Sequence, residues 1–433
     1  MKALLLALFT ISTFHAYAQY ANILSQRDQA NVVDGILEDR LKNLLPALMR
    51  REGIDLWVIV SREYNEDPII KTMLPATWMA ARRTTMLMAF DNGKEVEFLA
   101  VARYDVGKLF KRAWEPDKQP NQWLQLAKLI EERSPKKIAI NKASVWGHAD
   151  GLSANDYDEL IKVLPKKLQG QVVSAEKLGV SWLETRSPKE MILYPQICRI
   201  AHQIIAEGFS DKIIQPGVAT TEDVVWFYRE EIKRLKLDTW FHPSVEIQRK
   251  GNDESTVIHP GDLLHVDFGI TYLRLNTDTQ EHAYILKAGE TDAPEFLKSA
   301  LKKGNRLQDI LTSNFKEGKT GNQILADARK QAIAEGITPS IYTHPIGYHG
   351  HAAGTTIGQW DMQSGVSGSG DYPMHLNTAY SIELNATVSI DEWKKDIRIM
   401  LEEDGYFDST GFRYIDGRQT DLILIPKPMP NVK

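Results

Sequence analysis

A single cysteine, Cys198, serves 433 residues. No disulfide can close within the chain and no cysteine-based zinc site can form, so any bound metal must be held by oxygen and imidazole. Cys198 falls in an apolar helical pattern and reads as a small buried hydrophobe. Charge of one sign is also lacking. A net charge of -5 without any Lys/Arg-rich run gives nucleic acid no footing. Repeats, low-complexity tracts and a glycine-rich nucleotide loop are missing too. Beyond the first residues, no apolar stretch reaches the roughly 20 residues that a membrane-spanning helix needs.

Those first residues form a pattern of their own. Lys2 gives a positive start, Ala3 to Phe14 is a short and mostly apolar run, and Ala16-Tyr17-Ala18 has the small-residue form of a cleavage site. This predicts a signal peptide over 1–18, a mature start near Gln19, and an exported protein, periplasmic or secreted, with no membrane association after processing.

The remainder divides into two parts, predicted at 19–180 and 181–433. In the first, Leu41 to Arg51 has helical apolar spacing and Asp55 to Val60 reads as a buried strand. Asp91-Asn92-Gly93 between two apolar runs predicts a hairpin. A helix over Trp123 to Ile130 and a strand over Lys137 to Ile140 complete an α/β pattern. The polar cluster Ser61 to Asn65 follows a strand and either lines a cleft or forms an exposed loop.

The second part opens on Ser187-Pro188-Lys189-Glu190, a capping box with proline at the first helical position. Pro195 is expected to kink or split the helix that follows. Thr220 to Asp223 repeats the cap, and further helices are predicted at about 294–315 and 320–335. Strands are predicted over Leu263 to Ile270, His282 to Leu286, Ala379 to Val388, Ile397 to Leu401 and Leu422 to Ile425. Clustered helices and clustered strands imply an α+β domain with a mostly antiparallel sheet.

Acids recur in these apolar strands, where a charge is costly unless compensated. Asp267 ends Leu263-Leu264-His265-Val266-Asp267, and Asp278 follows eleven positions later, with enough chain between for the strand to turn back. Two carboxylates brought together this way need a cation, or one must hold a proton. The bland alternative is a hairpin with one exposed Asp. Three histidines, His344, His349 and His351, crowd into a glycine-threaded stretch of eleven residues. One could ligate metal while another meets substrate, although each alone could equally be a surface or core residue. Glu383 is flanked by apolar residues, and Glu402-Glu403 closes a strand in which Glu402 shares parity with Arg398 and Met400. A solvated sheet face and a solvated turn are the respective alternatives. Taken together in this order, four carboxylates and one imidazole point to two divalent metal ions.

That order resembles the pita-bread metallopeptidases, the family of methionine aminopeptidase, aminopeptidase P and prolidase. Their ligands run Asp, Asp, His, Glu, Glu, which map to Asp267, Asp278, His344, Glu383 and Glu402. His351 and Gly347 match the family's second histidine and its glycine, and Tyr272 matches a tyrosine of the proline-specific branch. The separate α/β part resembles the N-terminal domain of the creatinase, aminopeptidase P and prolidase group. The resemblance implies a pita-bread catalytic domain and an Xaa-Pro aminopeptidase that hydrolyses the first peptide bond through a metal-bridging hydroxide. It implies two divalent ions, manganese first, with cobalt or zinc as alternatives. It also implies peptide substrates with proline second, and a homo-oligomer. By the same resemblance Asp278 and Glu402 bridge the ions, Asp267 completes one sphere, and His344 and Glu383 complete the other. Glu383 relays the proton, and His351 steadies the reacting carbonyl with His349 or His242 as helper.

The chain departs from the family at two places. The arginine usual before the last ligand is displaced to Arg398, and Lys250 stands where a histidine is usual, with His242 the nearest candidate. Both departures bear on substrate contacts. The alternatives are a prolidase-like Xaa-Pro dipeptidase, a non-catalytic binding protein on the same fold, or a metal-free hydrolase like creatinase. The last two should lack ligands that this chain has.

Overall fold

The computed structural model describes residues 23–427. The signal peptide expected over 1–18 lies outside them. Among the described residues no helix is long and apolar enough to cross a membrane.

Six strands form the first sheet: β1 (Leu56–Arg62), β2 (Thr84–Asp91), β3 (Val96–Val101), β4 (Lys111–Arg112), β5 (Ile138–Ile140) and β6 (Val172–Ser174), in the order β4-β3-β2-β1-β5-β6. The predicted hairpin joins β2 to β3, with Gly93 at φ +91°. Side-chain alternation gives β1 two buried faces. Leu56, Val58 and Val60 pack with Leu126, Ile130 and Leu160 of the helices Gln122–Arg133 and Ala154–Val163. Trp57 and Ile59 pack on the other face with Leu48, Ile69 and Leu178 of Leu45–Glu52, Pro68–Met73 and Glu176–Glu184. The helix expected over 41–51 begins as a π-helical turn at Arg40–Leu44.

Thirteen further strands make the second part: β7 (Ser244–Gln248), β8 (Leu263–Phe268), β9 (Thr271–Tyr272), β10 (Leu275–Asn276), β11 (Thr279–Ile285), β12 (Thr338–Ile341), β13 (His344–Pro345), β14 (Thr378–Ser381), β15 (Leu384–Ile390), β16 (Lys395–Leu401), β17 (Asp404–Asp408), β18 (Gly411–Tyr414) and β19 (Ile423–Ile425). They form the sheets β19-β11-β8-β7, β12-β15-β16 and β13-β14-β17-β18, with the small β9–β10 hairpin beside them. Only the β11–β19 pairing is parallel among these strands. Helices Pro188–Gly208 and Thr221–Arg234 cover the first of these sheets through Ile200, Ile204, Tyr228 and Ile232. Helices Glu295–Ser313 and Gly321–Ala334 cover the second through Leu297, Leu301, Ile324 and Ala328. This is the pita-bread arrangement, helices outside and sheets inside.

The capping boxes predicted at Ser187–Glu190 and Thr220–Asp223 form, and a third closes at Thr320–Gln323. One expectation is narrowed and one corrected. Of the two outcomes expected at Pro195 the split does not occur: the helix runs unbroken over Pro188–Gly208. The strand predicted over 379–388 is two strands. β14 pairs with β13 and β17, β15 pairs with β12 and β16, and Ile382-Glu383 is the corner between them.

A buried ion cluster joins the two parts. Arg40, with no exposed surface, donates from Nη1 to Glu190 Oε2 at 2.6 Å and to Thr185 O at 2.7 Å, and from Nη2 to Trp182 O. Arg186 donates to the other Glu190 oxygen at 2.9 Å. Both guanidiniums lie over the ring of Tyr348, which belongs to the histidine-rich loop.

Candidate metal centre

The donors come from strand ends. β8 and β11 are antiparallel neighbours with Asp267 opposite Gln280, which places Asp278 just before β11 and beside Asp267. Between them, β9 and β10 turn through Leu273 and Arg274, both at positive φ, as the tightest hairpins require. His344 opens β13, Glu383 sits at the β14–β15 corner, and Glu402 lies between β16 and β17, bridged to Gln280. Ligand atoms of Asp267, Asp278 and Glu402 lie within 4.8 Å of one another, as do those of His344, Glu383 and Glu402. His344 Nε2 is 3.8 Å from Asp278, 4.0 Å from Glu383 and 3.8 Å from Glu402.

Glu402 and Glu403 point in opposite directions. Glu402 faces the centre, accepting from Gln280 Nε2 at 2.6 Å and from Ser381 Oγ. Glu403 turns away, with one oxygen beside His202 Nε2 at 2.9 Å and the other accepting from Gln419 N at 3.0 Å.

Electrostatics marks the cluster as built for cations. Among the described residues no lysine or arginine pairs with any of its four carboxylates. Burial, reinforced by Glu246, raises the Asp267 carboxyl to about 7. Burial and Asp267 raise Glu383 to about 8. Asp278 and Glu402 are pushed well above the carboxylate range by burial and by the neighbouring acids. His344 Nδ1 donates to Pro345 O at 3.0 Å, since a carbonyl only accepts, which turns the lone pair of Nε2 toward the acids. Burial lowers its pKa to about 3, so it is neutral and ready to ligate. Buried Asp267 Oδ1 and His344 Nε2 have no hydrogen-bond partner. These residues fit divalent metal.

The remaining predicted residues fare differently. His351 joins the centre: its ring is 4.7 Å from His344 and 5.1 Å from Trp240, and it groups with Asp278 and His344. Gly347 and Gly350 allow this loop its close approach, since a Cβ would lie 2.7 Å from Arg186 Cζ and 2.2 Å from Trp240 respectively. His349 turns its ring to His148 of the first part at 4.6 Å. His242 is exposed, engaged with Trp226 and Arg229. Arg398 is exposed and 3.9 Å from Glu246. Tyr272 is buried, and its hydroxyl accepts the backbone N–H of Leu24 at 2.9 Å. Cys198 is buried as expected, with its thiol on Asp404.

Sequence reasoning missed Gln280, which donates to Glu402 at 2.6 Å and to Glu383 at 3.1 Å and takes a hydrogen bond from His265 at 2.9 Å. Its strand parity with Asp278 was the available signal, as Ser381's parity with Glu383 was. His148 left no such signal, because its contact depends on how the two parts dock.

A pita-bread domain with converging acids and a neutral imidazole defines a metal-dependent hydrolase. Residues 194–406, a stretch that includes all five candidate donors, match metallopeptidase family M24. No curated protein matches the chain. Among solved structures it is similar to the X-Pro aminopeptidase of Thermotoga maritima MSB8, with TM-score 0.62 and 16% identity over 87% of this chain and 99% of that one. It is similar to the Xaa-Pro dipeptidase of Bacillus anthracis at TM-score 0.55 and 16% identity, covering 92% and 100%. The N-terminal domain of FACT complex subunit SPT16 from Eremothecium gossypii matches at TM-score 0.54 and 12% identity, covering 94% and 99%. Fold alone therefore does not single out an activity; the donor set must carry it.

Metal removal makes this testable. Carboxyls raised in the folded state keep protons there that the unfolded chain has released above about pH 4. Their stabilisation is complete below that pH and is lost as pH rises through about 7 for Asp267 and about 8 for Glu383. Buried His265 and His344, both lowered to about 3, slope the other way only below about pH 6.5. His202, raised to about 11, slopes with the acids but is common to both forms. Between about pH 6.5 and 8.5, the rise in Tm on adding Mn²⁺ to chelated protein should therefore grow with pH. A rise that is flat or shrinking across that window would contradict a proton-holding acid centre.

Proposed function

We propose that the chain is an exported Xaa-Pro aminopeptidase. It would hold two divalent ions, manganese first, on Asp267, Asp278, His344, Glu383 and Glu402. The observation that carries this reading is the convergence of four carboxylates, two buried and two half-buried, and one neutral imidazole, with no lysine or arginine among the described residues paired to them. Such ions, when bound, acidify a water toward neutrality and polarise a carbonyl.

The chain's own residues do the rest. Gln280 holds Oε1 of Glu383 at 3.1 Å, which leaves Oε2 facing the centre to take a proton and return it to the leaving nitrogen. Gln280 and Ser381 fix both oxygens of Glu402. His351, boxed by Trp240, Tyr342 and His344, donates a hydrogen bond to the oxygen of the scissile carbonyl.

The dipeptidase reading requires a cation committed to the substrate's carboxylate. Arg398 is exposed and leans on Glu246, which favours the aminopeptidase. The test compares Ala-Pro with Ala-Pro-Ala in Mn²⁺, each with a free and an acetylated N-terminus. Free Ala-Pro-Ala should be cut to Ala and Pro-Ala, and both acetylated peptides should survive. Hydrolysis of acetylated peptides would sink the exopeptidase reading, and cleavage of Ala-Pro alone would make it a dipeptidase. Export rests on Lys2, the apolar run and Ala16-Tyr17-Ala18, and predicts a mature protein beginning at Gln19.

A further inference from the structure

The first part carries a cavity of about 470 Å³ that the metal chemistry does not use. It sits where β1 and β3 end and β2 begins. Three arginines line it, Arg82, Arg83 and Arg103, against a single acid, Glu63. None of the three guanidiniums has an ion-pair or hydrogen-bond partner among the described residues, whereas Arg50, Arg62 and Arg133 of the same part each pair with an acid. Two of the three lie over rings instead. Arg82 lies 4.5 Å over Trp78 and 5.8 Å from Tyr104, and Arg103 lies 5.4 Å over Trp114.

The walls are fixed. Trp114 donates from its indole to Gln119 O, and Gln122 ties the start of β2 to the end of β3 through Thr84 O and Val101 O. Arg83 is held at φ +52°, a costly conformation for a non-glycine residue. Glu63 N–H donates to Arg83 O at 2.6 Å, and Arg83 N–H donates to Glu63 at 3.3 Å. Of the polar cluster that follows β1, this gives Glu63 a place in a cleft.

A guanidinium stacked on an aromatic ring keeps its fork of donors free for a planar anion. The rings beside it offer faces to an apolar body, and the volume is of small-ligand size. We propose that this cavity binds organic carboxylates, with the free C-terminus of a short peptide as the natural form.

Calorimetric titration of the Mn²⁺-loaded protein tests this, using N-acetyl-phenylalanine, its amide and inorganic phosphate. Acetylation removes the amine that the proposed peptidase requires. The acid should bind roughly tenfold or more tighter than the amide, phosphate should not displace it, and Arg82→Ala/Arg103→Ala should abolish binding while leaving hydrolysis of Ala-Pro-Ala and the melting profile unchanged. Equal binding of acid and amide, displacement by phosphate, or undiminished binding by the double variant would each overturn the proposal. Both arginines are exposed, so the variant is expected to fold.

Discussion

Replacing Glu383 by Gln should lower turnover of Ala-Pro-Ala by about 10²- to 10⁴-fold per loaded site. The substitution preserves shape. The amide oxygen can still accept from Gln280, now 3.1 Å from Glu383 Oε1. What disappears is the oxygen that faces His344 Nε2 at 4.0 Å and its capacity to take and return a proton. Metal content, measured on the same preparation, separates this from simple loss of a ligand. A fully loaded variant with wild-type turnover would remove Glu383 from the proton path. A loaded but inactive variant would also set aside the non-catalytic reading, since only chemistry is lost.

The second large effect is on stability. Arg40→Met should cost about 3–5 kcal/mol, because Glu190 is left buried with one guanidinium in place of two and three hydrogen bonds of Arg40 vanish. Glu190→Leu should cost at least as much, since it strands both Arg40 and Arg186 where neither has exposed side-chain surface. Denaturant titrations of the two variants decide this. An Arg40→Met protein within about 1 kcal/mol of wild type would show the cluster to be unimportant for cohesion. Because Tyr348 lies under both guanidiniums, the histidine loop should loosen too, and activity should fall along with stability.

What could be read from the sequence depended on range. The capping boxes at Ser187, Thr220 and Thr320 are local devices, complete within four residues, and all three form. The donors were legible for a related reason: a carboxylate in an apolar strand is anomalous wherever its neighbours come from. The break at Ile382-Glu383 was not legible. The apolar pattern runs on through it, and only the exchange of pairing partners from one sheet to another shows the corner. Tyr272 was matched by its place between two aspartates, but its hydroxyl goes to Leu24, 248 residues away. The contact of His148 with His349 likewise joins the two parts, beyond the reach of any local pattern.

Glu383 and Glu402 both sit at seams where the chain passes from one sheet to the next. The proposed donors therefore belong to strands that must come apart before the protein can unfold. A bound ion would act as a rivet across those seams, and its main signature would be temporal. Metal should lengthen the lifetime of the folded chain more than it hastens folding, because the donor set does not exist until the sheets have docked.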